Sequence, residues 1–537
     1  MRVVTKLSGL ACALVAFASI CSAATISGTV KGPDGNPFEG AFVGAQNSKT
    51  KITISVLSDK RGHYQITNLA PGDYELRIRA IGYKADPVSS MTLSDAKNGS
   101  ADFALQNGMV RWSDISMYQG EQLLPDAPGR AELFRTCFAC HGFESRMAAV
   151  TRDESGWRDR VNFMVTSMHF FVGGVGRFSD QDEEKVVNYL TSTFGPDSTK
   201  PKSPADLPKY ADVKMGFPDE AMNIVYTEYE LPGPNRMPWS AAPDGKGNFC
   251  LPYYGDNNKI GRLDPKTGKV DEFQVPNQNT AAIHSIQPAP DGSMWFTEQG
   301  SDKIGKWDPA TNEVTEYQDP QTPGKEGTLQ GGSKHTLRVE ANGDVWSTGG
   351  PVSKFDPKTK QFTNIKEIPS AYGIALAKDG TVWFAEFTPD GKIGKIDPKT
   401  LQVTKYTVPT PNARPRRIQV DNTDGTIWFC EFEAGKIGHF DPKTETFKEF
   451  QLPGAMPTPY AMNLDRDHNV WFSSEYMDYV GRLDPKTGKI TQYPFDHAEN
   501  TMREFFLDDQ GRMWYGSPAN NKVGYFYLAG NNERASK

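Results

Sequence analysis

Cysteine is scarce: there are six in 537 residues, and Cys12 and Cys21 fall within the first 23. The remaining four, Cys137, Cys140, Cys250 and Cys430, are too few for the disulfide framework that staples small secreted domains. Beyond the N-terminal stretch no run of about 18 apolar residues occurs, so no transmembrane helix is expected. A basic surplus is also missing. Against 59 Lys and Arg stand 66 Asp and Glu, a formal charge of −7, which excludes the electropositive face that nucleic acid requires. Turn material is abundant instead, with 50 glycines and 38 prolines in a chain that is 37% hydrophobic. That composition fits several globular domains rich in short strands.

Residues 1–23 place Arg2 and Lys6 before the apolar stretch Leu7–Ile20 and end in Cys21-Ser22-Ala23. A basic start, a short apolar middle and small final residues predict a secretory signal peptide cleaved near Ala23. The product is then periplasmic, with no anchor left after cleavage. Residues 24–107 alternate short β-patterns with turns such as Pro33-Asp34-Gly35-Asn36-Pro37 and Pro71-Gly72-Asp73. They predict strands at Ile26–Val30 and Tyr74–Ala80 within a small antiparallel sandwich. Through G-T-V-K-G-P-D-G-N-P and G-H-Y-Q-I-T-N-L-A-P-G-D-Y-E-L-R this segment resembles the carboxypeptidase regulatory-like (transthyretin-like) domain. The resemblance implies a spacer or docking unit.

Residues 108–195 switch to helical periodicity. Ala131–Phe134 leads into Cys137-Phe138-Ala139-Cys140-His141. A second helix carries Trp157, Val161, Met164, Val165 and Met168 on one face, and a third opens at Ser179 with Asp182 and closes at Gly195. In C-x-x-C-H the two thiols reach the two vinyl groups of haem while the following histidine ligates iron. Covalent haem c on Cys137 and Cys140, with His141 as iron ligand, is the expectation. A redox thiol pair or half of a zinc site are the other readings of that spacing. The string C-F-A-C-H-G with a later W-x6-M resembles class I cytochrome c domains, which implies Met164 as the second iron ligand. Met168 is the alternative one turn on, and Met147 and His169 are lesser candidates. Residues 196–209, with four prolines, predict a semi-rigid linker.

Residues 210–531 repeat. The unit K-I-G-R-L-D-P-K-T-G-K places turns at Asp264, Asp308, Asp356, Asp397, Asp441 and Asp484, spaced 44, 48, 41, 44 and 43 apart. Aromatic strands recur at Trp295, Trp346, Trp383, Trp428, Trp471 and Trp514. Four short strands per repeat predict a seven-bladed β-propeller. The last repeat lacks its outer strand, and Val225–Pro232 is expected to supply it. The fold class is thus multidomain and mainly β: a sandwich (24–107), an α-helical cytochrome c-like domain (108–195), a propeller (210–531) and a tail at 532–537.

Through its K-I-G repeats, W-F-T-E strands and P-T-P-N-A-R-P at 409–415, the propeller resembles the streptogramin (virginiamycin B) lyase family. That resemblance implies a metal-assisted, magnesium-dependent elimination that opens a cyclic depsipeptide ester. The family's two histidine positions hold Arg416 and Tyr460 here, and only its glutamate is retained, as Glu475. Arginine stays protonated and cannot act as a general base.

The equivalent inner-strand position in all blades reads Trp239, His284, His335, Tyr372, Arg416, Tyr460 and Arg503. These side chains are expected to ring one axial mouth suited to a small anionic or aromatic ligand. Plugging the channel is the plainer role for the same ring. Glu475, His284 and His335 are the candidate catalytic residues, and Glu298, Glu386 and Glu431 are expected either to pair with the arginines or to join His284 as an acid–base pair. Cys250 and Cys430 are expected to be buried apolar residues. Three functions follow. One is a periplasmic haem protein for electron transfer, with a substrate or redox partner at the mouth. The others are a depsipeptide lyase and a non-catalytic scaffold or haem sensor.

Overall fold

The computed structural model describes residues 24–86, 90–94, 98–137, 142–167, 179–255, 257–276, 282–320 and 334–530. The expected signal segment and tail lie outside the described residues, as do Cys140, His141, Met168 and His169. No helix among the described residues is long and apolar enough to cross a membrane.

In the N-terminal sandwich, Ala24–Lys31 pairs antiparallel with His63–Leu69 in one sheet. The other sheet orders Ile52–Leu57, Phe42–Asn47, Gly72–Arg79 and Ser90–Leu93 side by side. The alternation predicted for the Tyr74 strand is present: Tyr74 and Leu76 are buried while Asp73, Glu75 and Arg77 are exposed. Ile26, Val30, Val43, Ala45, Ile66 and Leu76 fill the space between the sheets.

Among the described residues four α-helices follow: α1 (Met117–Leu123), α2 (Arg130–Thr136), α3 (Glu154–Ser167) and α4 (Asp180–Phe194). The cap read at Ser179 forms. Its hydroxyl accepts the Asp182 amide at 3.1 Å and Asp182 accepts the Ser179 amide at 3.1 Å. Leu133, Phe143, Trp157, Val161, Val186 and Leu190 share one core. Within the expected semi-rigid linker, residues 196–209, Leu207 packs against that helical core. Short turns at Pro204–Asp206 and Pro208–Val213 lay Tyr210 and Val213 into that helical core, and Trp112 Nε1 donates to the Pro201 carbonyl at 2.8 Å. Four short helices leave apolar flank uncovered, and the proline-rich stretch covers it.

Seven four-stranded antiparallel blades follow, six of them built from consecutive strands. The seventh takes Phe505–Leu507, Met513–Ser517 and Lys522–Leu528, and Ile224–Glu230 completes it, in register Tyr226↔Phe526. The other edge of Ile224–Glu230 pairs with Ile52–Leu57 of the sandwich, so one eight-stranded sheet joins the two domains. Neither edge of this strand is left as an open template.

The repeat residues have local causes. Each aspartate of the D-P-K-T turn accepts a backbone amide two residues on, as Asp264 does from Lys266 at 2.9 Å, and Asp264 also accepts the Thr267 hydroxyl at 2.8 Å. The glycine of K-I-G lies beneath an aromatic ring of the preceding strand, Gly305 under Phe296, Gly394 under Phe384 and Gly438 under Phe429, as does Gly481 of Tyr479-Val480-Gly481 under Phe472. A Cβ on Gly438 would stand 2.2 Å from the Phe429 ring. Gly438→Ala is therefore expected to destabilise by about 1–3 kcal/mol by overpacking. An unchanged urea midpoint would remove this account of the glycine.

Candidate functional site

The first residues of the inner strands turn toward the propeller axis because those strands begin irregularly. Register shifts fall between Ile283 and Ile286, between Pro415 and Ile418, and between Pro459 and Met462. Bulges of this kind re-aim side chains. Here they release His284, Arg416 with Arg417, and Tyr460 from the regular pleat.

The seven predicted residues do meet, and they close a ring of contacts. Trp239 lies 5.7 Å from His284, His284 lies 3.7 Å from His335, and His335 lies 4.1 Å from Tyr372, ring centre to ring centre. Tyr372 and Tyr460 are hydrogen-bonded through their hydroxyls. The Arg416 guanidinium stands 3.5 Å from the Tyr460 ring centre, and Arg503 stands 4.6 Å from it and 5.4 Å from Trp239. Six of the seven are buried, and Tyr372 is partly so. The open mouth expected from the sequence is in fact a packed centre, because aromatic and guanidinium faces stack on one another.

Its electrostatics are uneven. Arg503 forms an ion pair with Glu475 at 2.6 Å, both fully enclosed. Arg417, beside Arg416 in the sequence but not foreseen as part of the site, donates to Thr336 Oγ1 at 2.9 Å and to the Arg503 carbonyl at 3.0 Å. Burial and the neighbouring guanidiniums hold His284 and His335 well below the usual imidazole range, so both rings are neutral. Burial pushes Glu475 upward, while Arg503 and Arg416 pull it down.

The pairing expected of the other glutamates does not occur. Glu386 bonds Lys405 at 2.6 Å and Glu298 accepts from Ser301 at 2.8 Å. Glu431 sits near Glu449, with burial pushing its carboxyl up to about 8. Among the described residues His284 meets His335 and Trp239 rather than a carboxylate. Cys250 and Cys430 are fully buried, free thiols, as expected. Among the described residues one group of three acid and histidine side chains could hold a metal: Glu228, Asp496 and His497. It includes no axial residue, and Lys522 Nζ already stands 3.1 Å from Glu228.

The helical region packs against this end of the propeller. Tyr118 donates its amide to the Tyr476 carbonyl at 2.8 Å, the Tyr476 hydroxyl donates to Glu121 at 2.8 Å, and the Tyr476 ring joins the helical core. Glu499 accepts the amides of Gly142 at 3.2 Å and Ser145 at 3.1 Å. Behind it Asp478 accepts the amides of Glu499 and Asn500 at 3.0 and 2.6 Å. Glu144 is buried here too. Nothing in the sequence pattern marked these acids.

Burial pushes Asp478 up to about 7, and burial with Asp478 and Glu499 close by pushes Glu144 well above the carboxylate range. In the unfolded chain Asp478 ionises near pH 4. Between there and about pH 7 the unfolded state therefore binds fewer protons, and stability falls as pH rises. Asp478→Asn is expected to flatten that slope. Urea midpoints of the wild type and the variant at pH 5 and pH 8 test this, and parallel pH dependences would refute it.

Comparison with known proteins locates two of the three regions. Residues 25–106 match the carboxypeptidase regulatory-like domain, and residues 357–535 match the virginiamycin B lyase family. A virginiamycin B lyase of Nocardia farcinica (strain IFM 10152) is 32% identical over 134 residues, 24% of this chain. The match spans 46% of that relative, about half its length. A solved streptogramin B lyase is 25% identical with a TM-score of 0.51, covering 57% of this chain and 99% of its own. The virginiamycin B lyase of Staphylococcus aureus is 22% identical with a TM-score of 0.50 over the same shares, a likeness of fold. Neither family match reaches the helical region, so its expected cytochrome c character is not shown by them. The chain joins a carboxypeptidase regulatory-like domain to a virginiamycin B lyase-like β-propeller, with a helical region seated against the propeller.

Proposed function

We propose that this chain is an exported c-type haem protein for electron transfer, whose propeller binds a substrate or a redox partner. The observation that carries the reading is the contact made by Gly142, which follows the C-x-x-C-H motif in the sequence. Gly142, the residue after His141, bonds Glu499, and Glu499 lies on the loop that leads to axial Arg503. Cys137, at the C-terminus of α2, is half-buried and packed at the edge of the helical core, a position that suits thioether attachment. Met164 is half-buried on α3, in keeping with a ligand to the iron. Haem would supply one-electron exchange. The chain's own residues would anchor it, screen it from water and set its distance from the axis.

Spectra and acid–acetone extraction of protein exported together with haem-attachment machinery test this reading. Covalent low-spin haem, lost in Cys137→Ala, is expected; wild-type protein without haem would overturn it.

A second reading has the family comparison in its favour. By resemblance Glu475 stands where the family has its glutamate, and residues 357–535 match the virginiamycin B lyase family. Against it, Glu475 is held by Arg503, and the axis presents three guanidiniums, which repel a magnesium ion. Magnesium-dependent ring opening of a cyclic depsipeptide, lost in Glu475→Gln, would establish the lyase.

A further inference from the structure

The propeller axis carries more positive charge than its carboxylates balance. Arg416, Arg417 and Arg503 are 5%, 4% and 2% exposed, and Arg503 pairs with Glu475 at 2.6 Å. Among the described residues Arg416 and Arg417 have no ion-pair partner, and the two axial histidines are neutral. Burying unpaired guanidiniums is costly, so a further negative charge is called for nearby. Tyr460 is placed to supply it. Its ring is flanked by Arg416 at 3.5 Å, Arg503 at 4.6 Å and Arg417 at 5.8 Å, and its hydroxyl bonds that of Tyr372. Arg416 Nη2 also donates to the Tyr372 hydroxyl at 3.1 Å. That bond leaves the Tyr372 proton free to point at Tyr460.

We propose that Tyr460 is held as a phenolate between Arg416 and Arg503, with Tyr372 as its hydrogen-bond donor, and is the proton-accepting group of the propeller axis. The inference concerns the propeller alone and stands whether or not haem is attached. Charge supports it as well as geometry. Burial raises a tyrosine, yet the three guanidiniums outweigh burial at Tyr460. Every other described tyrosine with a displaced ionisation moves up instead, among them Tyr372, Tyr226 and Tyr515. The other titratable groups around the ring are Glu475, which opposes ionisation, and the neutral His284 and His335. The chemistry is a simple transfer. An acid whose conjugate base is an oxyanion gives its proton to the Tyr460 oxygen and keeps the electron pair. Its new charge then rests beside Arg416 and Arg503.

Ultraviolet difference titration of the full-length wild type against Tyr460→Phe tests the proposal, because the subtraction cancels any haem absorption. One tyrosinate per chain, ionising below the ordinary range near about 10 and absent from the variant, is expected. Tyr372→Phe, which removes the donor, should move that ionisation upward. Should Tyr460→Phe fail to fold, carbon NMR of wild type labelled at the tyrosine ring carbon bearing oxygen gives the same reading, as one signal that ionises below the ordinary range. A wild type with no tyrosinate below the ordinary range would overturn the proposal. Stabilisation by added sulfate that disappears in Arg416→Gln would then show that a bound anion balances the charge instead.

Discussion

Replacing Tyr226 by alanine is expected to lower the unfolding free energy by about 4 kcal/mol, at the upper end for removal of a buried aromatic ring. Tyr226 lies on Ile224–Glu230, the strand shared by the last blade and the sandwich, and is fully buried. Its ring contacts Phe42 of the sandwich at 6.2 Å and Phe495, Tyr515 and Phe526 of the propeller at 5.6, 6.5 and 6.0 Å. Its hydroxyl donates to the Pro494 carbonyl at 2.9 Å. Truncation opens a void at the junction of two domains, where neither side can collapse without shifting the sheet that joins them. Tyr226→Phe removes only the hydrogen bond and is expected to cost about 1 kcal/mol. Urea unfolding of both variants separates the two contributions. A Tyr226→Ala protein as stable as Tyr226→Phe would show that the ring does not hold the junction.

Arg503→Met is expected to cost about 3–5 kcal/mol, because it strands Glu475 as an unpaired carboxylate in the propeller core. The wild-type pair is enclosed on both sides, with side chains 2% and 3% exposed. Once alone, Glu475 will take up a proton rather than stay charged. The penalty should therefore shrink in acid and grow as pH rises above about 4, where the unfolded chain ionises and the folded one does not. Adding Glu475→Leu should recover most of the loss, as apolar pairs of similar volume replace buried ion pairs with little change in stability. Unfolding midpoints of the single and double variants at two pH values check this. A double variant no more stable than Arg503→Met would mean that Arg503 matters through its aromatic contacts and not through Glu475.

Much of this molecule is legible along the chain because its causes are local. The aspartate turns, the glycines beneath aromatic rings and the cap at Ser179 each depend on residues within one repeat or one helix turn. The blade count follows from them, and so does the closing strand, since a repeat short of one strand must borrow it. The ring at the axis was legible for the same reason: equivalent positions in equivalent blades must converge. What filled the ring was not. Arg417 follows a predicted residue but reaches the axis only because its inner strand bulges, and which glutamate meets Arg503 depends on distance between blades.

Periodicity and turns along the chain specify the sandwich and the propeller, because they are short-range preferences repeated often enough to be unambiguous. Tertiary structure decided how the parts act on one another. Ile224–Glu230 closes the propeller with one edge and holds the sandwich with the other, a choice made by whichever exposed strand edge lies within hydrogen-bonding reach. Within residues 196–209, read as a linker, Leu207 packs against the helical core, because the helices leave apolar surface that the neighbouring chain covers. The helical region seats its Gly142 and Ser145 amides on Glu499, where Asp478 and Glu144 are buried with it. Burial, and hence the charge that a group carries, is a property of the surroundings in space. Glu144, Asp478 and Tyr460 are therefore ordinary residues in the sequence and unusual ones only in the fold.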